Sequence, residues 1–498
     1  MGNNTFLLLG NQLFDPKLLK DQGCERVFMA EDYGLCTYEK HHKLKIYLYL
    51  CAMREYKDEL QRNGIQVNYF SLEARTDKQN YIEFFVSFLN REKIDSINIF
   101  EIENKFFEKK VLTSLEDAGV KYDLLATPMF LFSRKEFYSL YGKNKSFRLG
   151  NFYKVGRKKF NILVDNEGNP LGERWSFDEE NRKKIPANTN IPELPKFSLS
   201  RYHDAVANTV EKHFFEHPGS TKNVWFPVTR LKALELLDDF LIQRLENFGA
   251  YEDAMLKDRN FLFHSCISAM LNIGLITPDI VIEKTLDLFK KNKTPLNSIE
   301  GFIRQILGWR EFVRGIYQLR GAKQKKSNFW GHQRKLSQSW YDGSTGLLPL
   351  DDCIKSALKD GYSHHIPRLM VICNLMNMCE IDPKYTYKWF MEMYIDASDW
   401  VMIPNVFGMA TYSDGGLMST KPYTCSSNYI LKMSNYERGA WCDVIDGLYW
   451  RFIQKNIDFY SSNPRLSFQT RVLSRMSEDR KAIIFKKAEE FLEIHTQS

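Results

Sequence analysis

The residues best suited to chemistry lie close together in the second half of the chain. His364 and His365 precede Arg368, Trp389-Phe390 opens a run that ends at Asp396, and Pro404-Asn405 leads to Asp414-Gly-Gly. Imidazoles move protons near neutral pH, an arginine and a carboxylate fix charge through paired hydrogen bonds, and indole and phenol rings pass electrons. These are the surroundings a buried redox cofactor needs. Adjacent histidines lack the i, i+4 spacing of a zinc pair, so acid catalysis or a hydrogen-bonding role outranks metal ligation.

Two upstream motifs are ambiguous alone. In Phe261-Leu-Phe-His264-Ser265-Cys-Ile-Ser268-Ala-Met-Leu-Asn272, a helix expected over Phe261–Met270 would put Ser265, Ser268 and Asn272 on one face. Short donors near a helix N-terminus suit a phosphate or ribityl chain, although buried serines more often satisfy local backbone. Arg304, Trp309, Arg310 and Arg314 recur on consecutive turns; their forks suit phosphates or carboxylates, and a plain Arg310–Glu311 helix pair is the commoner explanation.

These side chains require rigid carriers. Residues 1–130 alternate apolar strands (Thr5–Leu9, Arg26–Ala30, Val67–Phe70, Ser96–Phe100, Tyr122–Ala126) with amphipathic helices (His42–Gly64, Lys78–Asn90, Phe106–Ala118). That alternation predicts a parallel sheet covered on both faces, with ligands at its carboxyl ends, near Gly10-Asn11-Gln12 and Glu31-Asp32. No G-x-G-x-x-G follows the first strand, which argues against a conventional nicotinamide site. Residues 131–225 are basic, polar and punctuated by Pro186, Pro192 and Pro195, as in a long connector with local structure. Residues 226–498 follow helical period, notably over Leu231–Leu245, Pro278–Lys291, Ile299–Leu319, Leu350–Leu358, His364–Met378 and Glu478–Ile494. The fold class is therefore α/β plus all-α.

Composition sets outer limits. The 498 residues suffice for several domains, and the formal charge of +7 permits a polyanionic partner without demanding one. Aromatics at 14% fit chiefly a large core. Nine scattered cysteines, odd in number and without C-x-x-C, fit neither a disulfide framework nor a zinc ribbon, and point to a reducing, intracellular compartment. The N-terminus has no secretory pattern, and Phe6 breaks the myristoylation motif that Gly2 would open. No apolar run reaches the roughly 18 residues of a membrane span, so a soluble protein is expected.

The order of the pieces removes the ambiguity. A sheet domain, a connector and a helical domain carrying HS-x-x-S-x-x-x-N, W-R-E-F, W-Y-x-G-x-T-G (Trp340–Gly346), H-H-x-x-R, W-F and T-K-P-Y (Thr420–Tyr423) resemble the photolyase and cryptochrome superfamily. The chain looks most like the prokaryotic branch that includes bacterial (6-4) photolyases. The resemblance implies an N-terminal antenna-type domain and FAD folded into the C-terminal domain. It also implies light-driven electron donation to a pyrimidine photoproduct flipped out of UV-damaged DNA.

By the same resemblance, His264, Ser265, Ser268 and Asn272 would line the ribityl and phosphate, with Arg304, Trp309 and Arg310 nearby. Arg368 and Asp396 would flank the isoalloxazine ring, and Met402 or Asn405 would meet flavin N5. His364 and His365 would face the lesion, one of them donating a proton. Trp389 would open the electron relay, with Tyr341 near a Trp position and Phe390 where the relay often has Tyr.

Three further expectations come from departures and matches. The branch's cysteine segment before L-Y-W is shortened here to Cys442, and Cys353 is misplaced, so no iron-sulfur cluster and no other metal centre is expected. Asn11 replaces the Asp of the antenna pattern, where a lumazine or another pigment sits; Gly10, Gln12, Glu31 and Asp32 complete that set. Asp178 matches a connector acid associated with Mg²⁺ during repair. Lys323, Lys325, Lys326, Arg334 and Lys335, interleaved with Phe329-Trp330, and Arg182 are the expected DNA contacts. The resemblance implies a monomeric enzyme, cytoplasmic, or nuclear if the source is eukaryotic. A cryptochrome-type photoreceptor with little repair is the alternative.

Overall fold

The structure, a computed structural model, describes residues 4–75, 79–143, 147–291 and 294–497; Gly2, on which the myristoylation reading falls, lies outside them. Five parallel strands, β1 (Thr5–Leu7), β2 (Arg26–Ala30), β3 (Gln66–Phe70), β4 (Ser96–Phe100) and β5 (Lys121–Leu125), form a sheet in the order β3-β2-β1-β4-β5. β1 and β2 are wholly buried and uniformly apolar apart from Thr5 and Arg26, while the edge strands β3 and β5 are partly exposed. The strand order reverses between β1 and β4, which opens a crevice at their carboxyl ends.

One sheet face, including Leu7, Phe28 and Ile99, packs on Phe85, Phe88, Val111 and Leu115 of the helices Tyr81–Arg91 and Lys105–Asp117. The opposite face, with Phe6, Val27 and Met29, joins the core that runs on into the helical half. Between them lies the helix Lys43–Arg62, capped by the His42 imidazole, which accepts from the Leu44 N–H. It is buried on more than one side because it contacts both the sheet and the connector helix His203–His213.

The connector is more ordered than its composition suggests. It forms the helices Arg134–Tyr141, Leu149–Lys159 and His203–His213. The first opens with a Ser133–Glu136 capping box, a signal present in the sequence.

In the helical half, Pro278–Lys291 forms over the expected residues, and Glu478–His495 ends one residue beyond expectation. The helix expected over Phe261–Met270 does not form. Only Ser268–Asn272 is helical, and the preceding segment turns through left-handed Asp258, Leu262 and Cys266 (φ 62°, 45° and 59°). Left-handed backbone cannot continue a right-handed helix. The long helices are interrupted by π-helical turns at Phe240–Arg244, Arg304–Arg310, Pro367–Cys373 and Pro404–Ala410. Such insertions rotate the side chains after them, and they recur at functional sites.

Candidate active site

Two adjoining cavities, of about 680 Å³ and about 250 Å³, open inside the helical half. Their common wall includes His264, Ser268, Tyr362, His365, Asp396 and Asn405. Three of the four π turns supply lining residues: Arg304, Trp309 and Arg310 from one, Leu369 from the second, and Asn405 and Met409 from the third. The larger volume suits an elongated organic ligand.

At the smaller cavity Arg368 grips Asp396 with two nitrogens, at 2.9 and 3.2 Å. Ser268 donates to the same carboxylate at 2.6 Å, and the Asn272 amide donates to the Asp396 carbonyl at 2.9 Å. The two predicted polyol ligands therefore also fasten the acid. Arg368 donates in addition to the Ser363 carbonyl at 2.6 Å and lies 3.9 Å over the Tyr394 ring. Burial opposes ionisation of Asp396, but Arg368 and Ser268 outweigh it and hold the carboxyl below its usual range. The result is a fixed charge pair in the cavity wall. Buried pairs add little net stability, so their retention asks for another reason.

The upstream arginines divide by partner. Arg304 meets Asp178 at 2.7 Å, Glu300 at 3.4 Å and Glu252 at 3.8 Å, while Arg314 pairs with Glu101 and Glu103. Arg310 differs: among the described residues no acid forms a salt bridge with it. Its neighbour Glu311 accepts from the Leu131 and Phe132 N–H groups instead, at 3.0 and 3.1 Å, so the helix-face pair is not made. Arg310 donates to the Met129 and Leu271 carbonyls, stacks on Phe130 at 4.2 Å and Trp400 at 5.1 Å, and keeps an unpartnered Nε. Burial pushes it down to about 10. A confined cation that makes no salt bridge, its charge offset only at longer range by Glu311 and Glu103, fits an anionic ligand on the wall of a large cavity.

The histidines also separate. His264 and His364 stack with ring centroids 4.3 Å apart, and His264 Nε2 and His364 Nδ1 lack partners. Burial, reinforced by neighbouring positive groups, pushes His264 down to about 3 and His364 well below the usual range. Both are neutral wall residues. His365 instead turns an exposed side to both cavities. The surrounding protein and Arg368 push it down to about 4, with Asp178 opposing.

The comparisons agree with this geometry. Residues 6–226 match the model of the deoxyribodipyrimidine photo-lyase-related protein family, and residues 302–437 match the FAD binding domain of DNA photolyase. A (6-4) photolyase of Agrobacterium fabrum is 35% identical over 98% of this chain and 98% of its own length. The chain belongs to the photolyase and cryptochrome superfamily, in its (6-4) photolyase-related branch. Two solved structures share the fold. A bacterial class III photolyase from Agrobacterium tumefaciens has TM-score 0.61 and 15% identity over 99% of this chain and 97% of its own. A Synechocystis sp. PCC6803 cryptochrome has TM-score 0.56 and 12% identity over 99% and 100%.

Placed in a photolyase frame, all the predicted cofactor residues line the two cavities. His264, Ser265, Ser268, Asn272, Arg304, Trp309, Arg310, Asp396 and Asn405 line the larger cavity, and Arg368 and Met402 line the smaller. The orphaned nitrogens of Arg310 and His264 and the cavity volume fit FAD. Trp389 lines neither cavity; it is fully buried behind Phe390, 5.3 Å away, which does line the smaller one.

Around the larger cavity stand residues that sequence reasoning missed: Glu252, Asp253, Asn181, Lys421 and Tyr423, beside Asp178 and Arg182. Burial raises Glu252 to about 7 and Asp253 to about 6, with Arg304 and Arg182 respectively opposing. The Glu-Asp dipeptide after a helix gave no signal of this; Lys421 and Tyr423 sat in the T-K-P-Y motif. Asp178 is held by Arg304 and, at 3.7 Å, by Arg182. Among the described residues no group of three or more His, Cys, Asp or Glu side chains is arranged to hold a metal ion.

The crevice at the strand ends is different. Gln12 accepts from the Leu9 N–H and donates to the Phe100 and Glu101 carbonyls, so it ties β1 to β4. Glu31 is bound by Arg54 at 2.7 and 2.9 Å, by the Tyr69 hydroxyl and by the Leu72 N–H, and Asp32 caps Leu35 and pairs with Arg75. The carboxylates of Glu31 and Asp32, both members of the expected antenna set, are thus spent inside the fold. Asn11 is partly buried, and Gly10 lies against Tyr49 and Met53, where a Cβ would meet the Met53 sulfur at 2.8 Å. One turn before Tyr49, Lys45 is buried against His41 Nδ1 at 3.2 Å, and burial lowers it to about 8.

Of the expected DNA contacts, Lys323, Lys326 and Lys335 are exposed, and Lys325 reaches Asp399 at 3.4 Å. Arg334 bonds Thr496, where Lys335–Leu336 pairs antiparallel with Thr496–Gln497. No helix among the described residues is long and apolar enough to cross a membrane.

Proposed function

We propose that this protein is a light-driven, FAD-dependent photolyase that repairs pyrimidine-pyrimidone (6-4) photoproducts in DNA. The observation that carries the reading is the double cavity, with a fixed Arg368–Asp396 pair, an arginine with no salt bridge among the described residues and one accessible histidine in its walls. FAD, when bound, supplies a photoexcited electron donor. Arg310, with Ser265 and His264, would hold its anionic and polar parts; Arg368 and Asp396 keep fixed charge of both signs beside its ring site, and Met402 and Asn405 close the smaller cavity.

His365 is the proton donor in this reading, because it alone of the paired imidazoles reaches open space. Its low proton affinity in the free protein is countered by Asp178 and, on binding, by lesion and DNA phosphates. Tyr423 and Lys421 at the cavity wall would receive the flipped nucleotides, and Arg182, Lys323, Lys326 and Lys335 the flanking backbone. Positive charge near Asp178 comes from Arg304 and Arg182, with Mg²⁺ as a supplement during repair. A lumazine-type antenna beside Gly10, Asn11, Tyr49 and Lys45 and a monomeric, intracellular state complete the reading.

The test is to irradiate the reduced protein with (6-4) and cyclobutane lesion oligonucleotides under blue light and to follow restoration of the bases. Repair of the (6-4) lesion is expected. Failure on both lesions, with reduced flavin bound, would replace this reading with that of a photoreceptor.

A further inference from the structure

The helix Ser467–Ser474 packs on the helix Ala440–Lys455, with Leu466 and Leu473 buried in the common core. Its other face is open. Phe468 is 66% exposed, and Arg471 and Arg475, three and seven residues on, share its side and are exposed as well. Among the described residues no ring contact of Phe468 and no ion pair of either arginine is found. Arg465 fixes where this face lies, because its Nη1 donates to the Thr420 hydroxyl at 2.8 Å. Thr420 directly precedes the segment whose Lys421 and Tyr423 line the larger cavity. A single exposed aromatic is commonplace on a protein surface. A bare ring among free arginines beside a cavity matches a nucleic-acid strand instead, whose bases stack on rings and whose phosphates meet cations.

We propose that the helix Ser467–Ser474 holds the opened DNA strand: the Phe468 ring stacks on the base beside a flipped lesion, and Arg471 and Arg475 take the phosphates that follow. This rests on the DNA repair proposed above. Inside an intact duplex each base face is covered by its neighbours, so the ring finds nothing to stack on. Extruding a dinucleotide lesion into the cavity uncovers the face of the adjoining base. The helix face also fits the strand in length, since Phe468 to Arg475 spans about 10 Å, or about three nucleotides at about 3.4 Å per phosphate. Phe468 therefore reads whether the DNA is open, while the arginines take any phosphate backbone. That division sets Phe468 apart from Lys323, Lys326 and Lys335, which bring charge alone.

Fluorescence anisotropy of the flavin-bound protein in the dark, with three labelled DNAs of one sequence, tests this: a duplex carrying the (6-4) lesion, the intact duplex and the intact single strand. F468A should weaken binding of the lesion duplex and of the single strand about tenfold, within what one base stack contributes, and leave the intact duplex unchanged. F468L, which keeps apolar bulk without a flat ring, should lose as much as F468A, and F468W should bind at least as tightly as the wild type. R471Q should weaken all three DNAs alike and lower the salt slope by about 1. Equal losses by F468A on lesion and intact duplexes, or full binding by F468L, would overturn the proposal. F468A binding every DNA like a wild type that favours the lesion duplex would also overturn it, and would leave this face to a protein partner. A wild type that does not favour the lesion duplex would instead overturn the repair reading on which the proposal stands.

Discussion

The cavity in the helical half and the crevice at the sheet's carboxyl ends both gather buried charge, yet they dispose of it differently. In the crevice Glu31 satisfies Arg54, Tyr69 and a backbone amide, and Asp32 satisfies Arg75 and a helix cap. In the cavity Arg310 makes no salt bridge among the described residues, and nitrogens of Arg310, His264 and His364 have no hydrogen-bond partner. Buried polar groups are nearly always paired. A cluster of unpaired ones therefore marks where a ligand completes the structure, whereas the carboxylates of Glu31 and Asp32 are already satisfied by the fold.

The largest effect that could break this contrast is removal of a carboxylate from each region. Asp396→Ala leaves Arg368 uncompensated and should cost ~3–5 kcal/mol in chemical denaturation, with loss of bound flavin. Glu31→Ala should cost less, about 3 kcal/mol, because Arg54 keeps Glu73 at 2.8 Å, and its flavin content should stay at the wild-type level. Equal flavin loss in both would show that the two regions are not functionally separate.

Arg310→Met sharpens the same contrast from the other side. Replacing a confined cation that makes no salt bridge should leave the apoprotein as stable or more stable by ~1 kcal/mol. FAD affinity, measured by fluorescence titration, should fall by ~2–5 kcal/mol. A destabilised apoprotein with unchanged FAD affinity would place Arg310 in the architecture alone.

How far the sequence foretold each region follows from what holds it together. Local pattern placed β2, β4 and the helix Pro278–Lys291 where they form, because apolar alternation and a Pro start are local. The loop before Ser268 and the π turns were not legible: left-handed Leu262 and Cys266, and the extra residue at Arg304–Arg310, are imposed by tertiary packing. Those irregularities are what aim Ser265, Arg304 and Arg310 at the cavity. The resemblance supplied these residues, but it could not say that Arg310 makes no salt bridge or that His364 is stacked away. Glu252 and Asp253 were missed because their proximity to Asp178 and Arg304 spans distant segments.

Those acids give a smaller, pH-dependent effect. Burial raises Glu252 to about 7, above the value of an exposed glutamate, so the folded state binds the proton more tightly than the unfolded state. The stabilising contribution of the protonated form is complete below about pH 4 and is lost as pH rises through about 7, on the order of 3 kcal/mol for the apoprotein. Glu252→Gln should flatten stability over that window, as read by denaturation at a series of pH values. The crevice variant Glu31→Gln should not. A difference in stability between wild type and Glu252→Gln that climbs with pH across the window would invert the sign and remove Glu252 as a buried proton holder.

The smallest effect separates chemistry from charge. Lys326 is exposed, and no ion pair is found for it among the described residues, so Lys326→Ala removes at most one phosphate contact. It should weaken damaged and undamaged DNA alike and lower the salt slope of binding by about 1. His365→Ala removes the one accessible imidazole of the cavity, and should cut repair by at least about a hundredfold while leaving the salt slope unchanged. The two variants thus act on different observables. If Lys326→Ala costs more repair at saturating DNA than His365→Ala, the open histidine is not the proton donor, and the distinction between paired and unpaired groups has been drawn at the wrong residue.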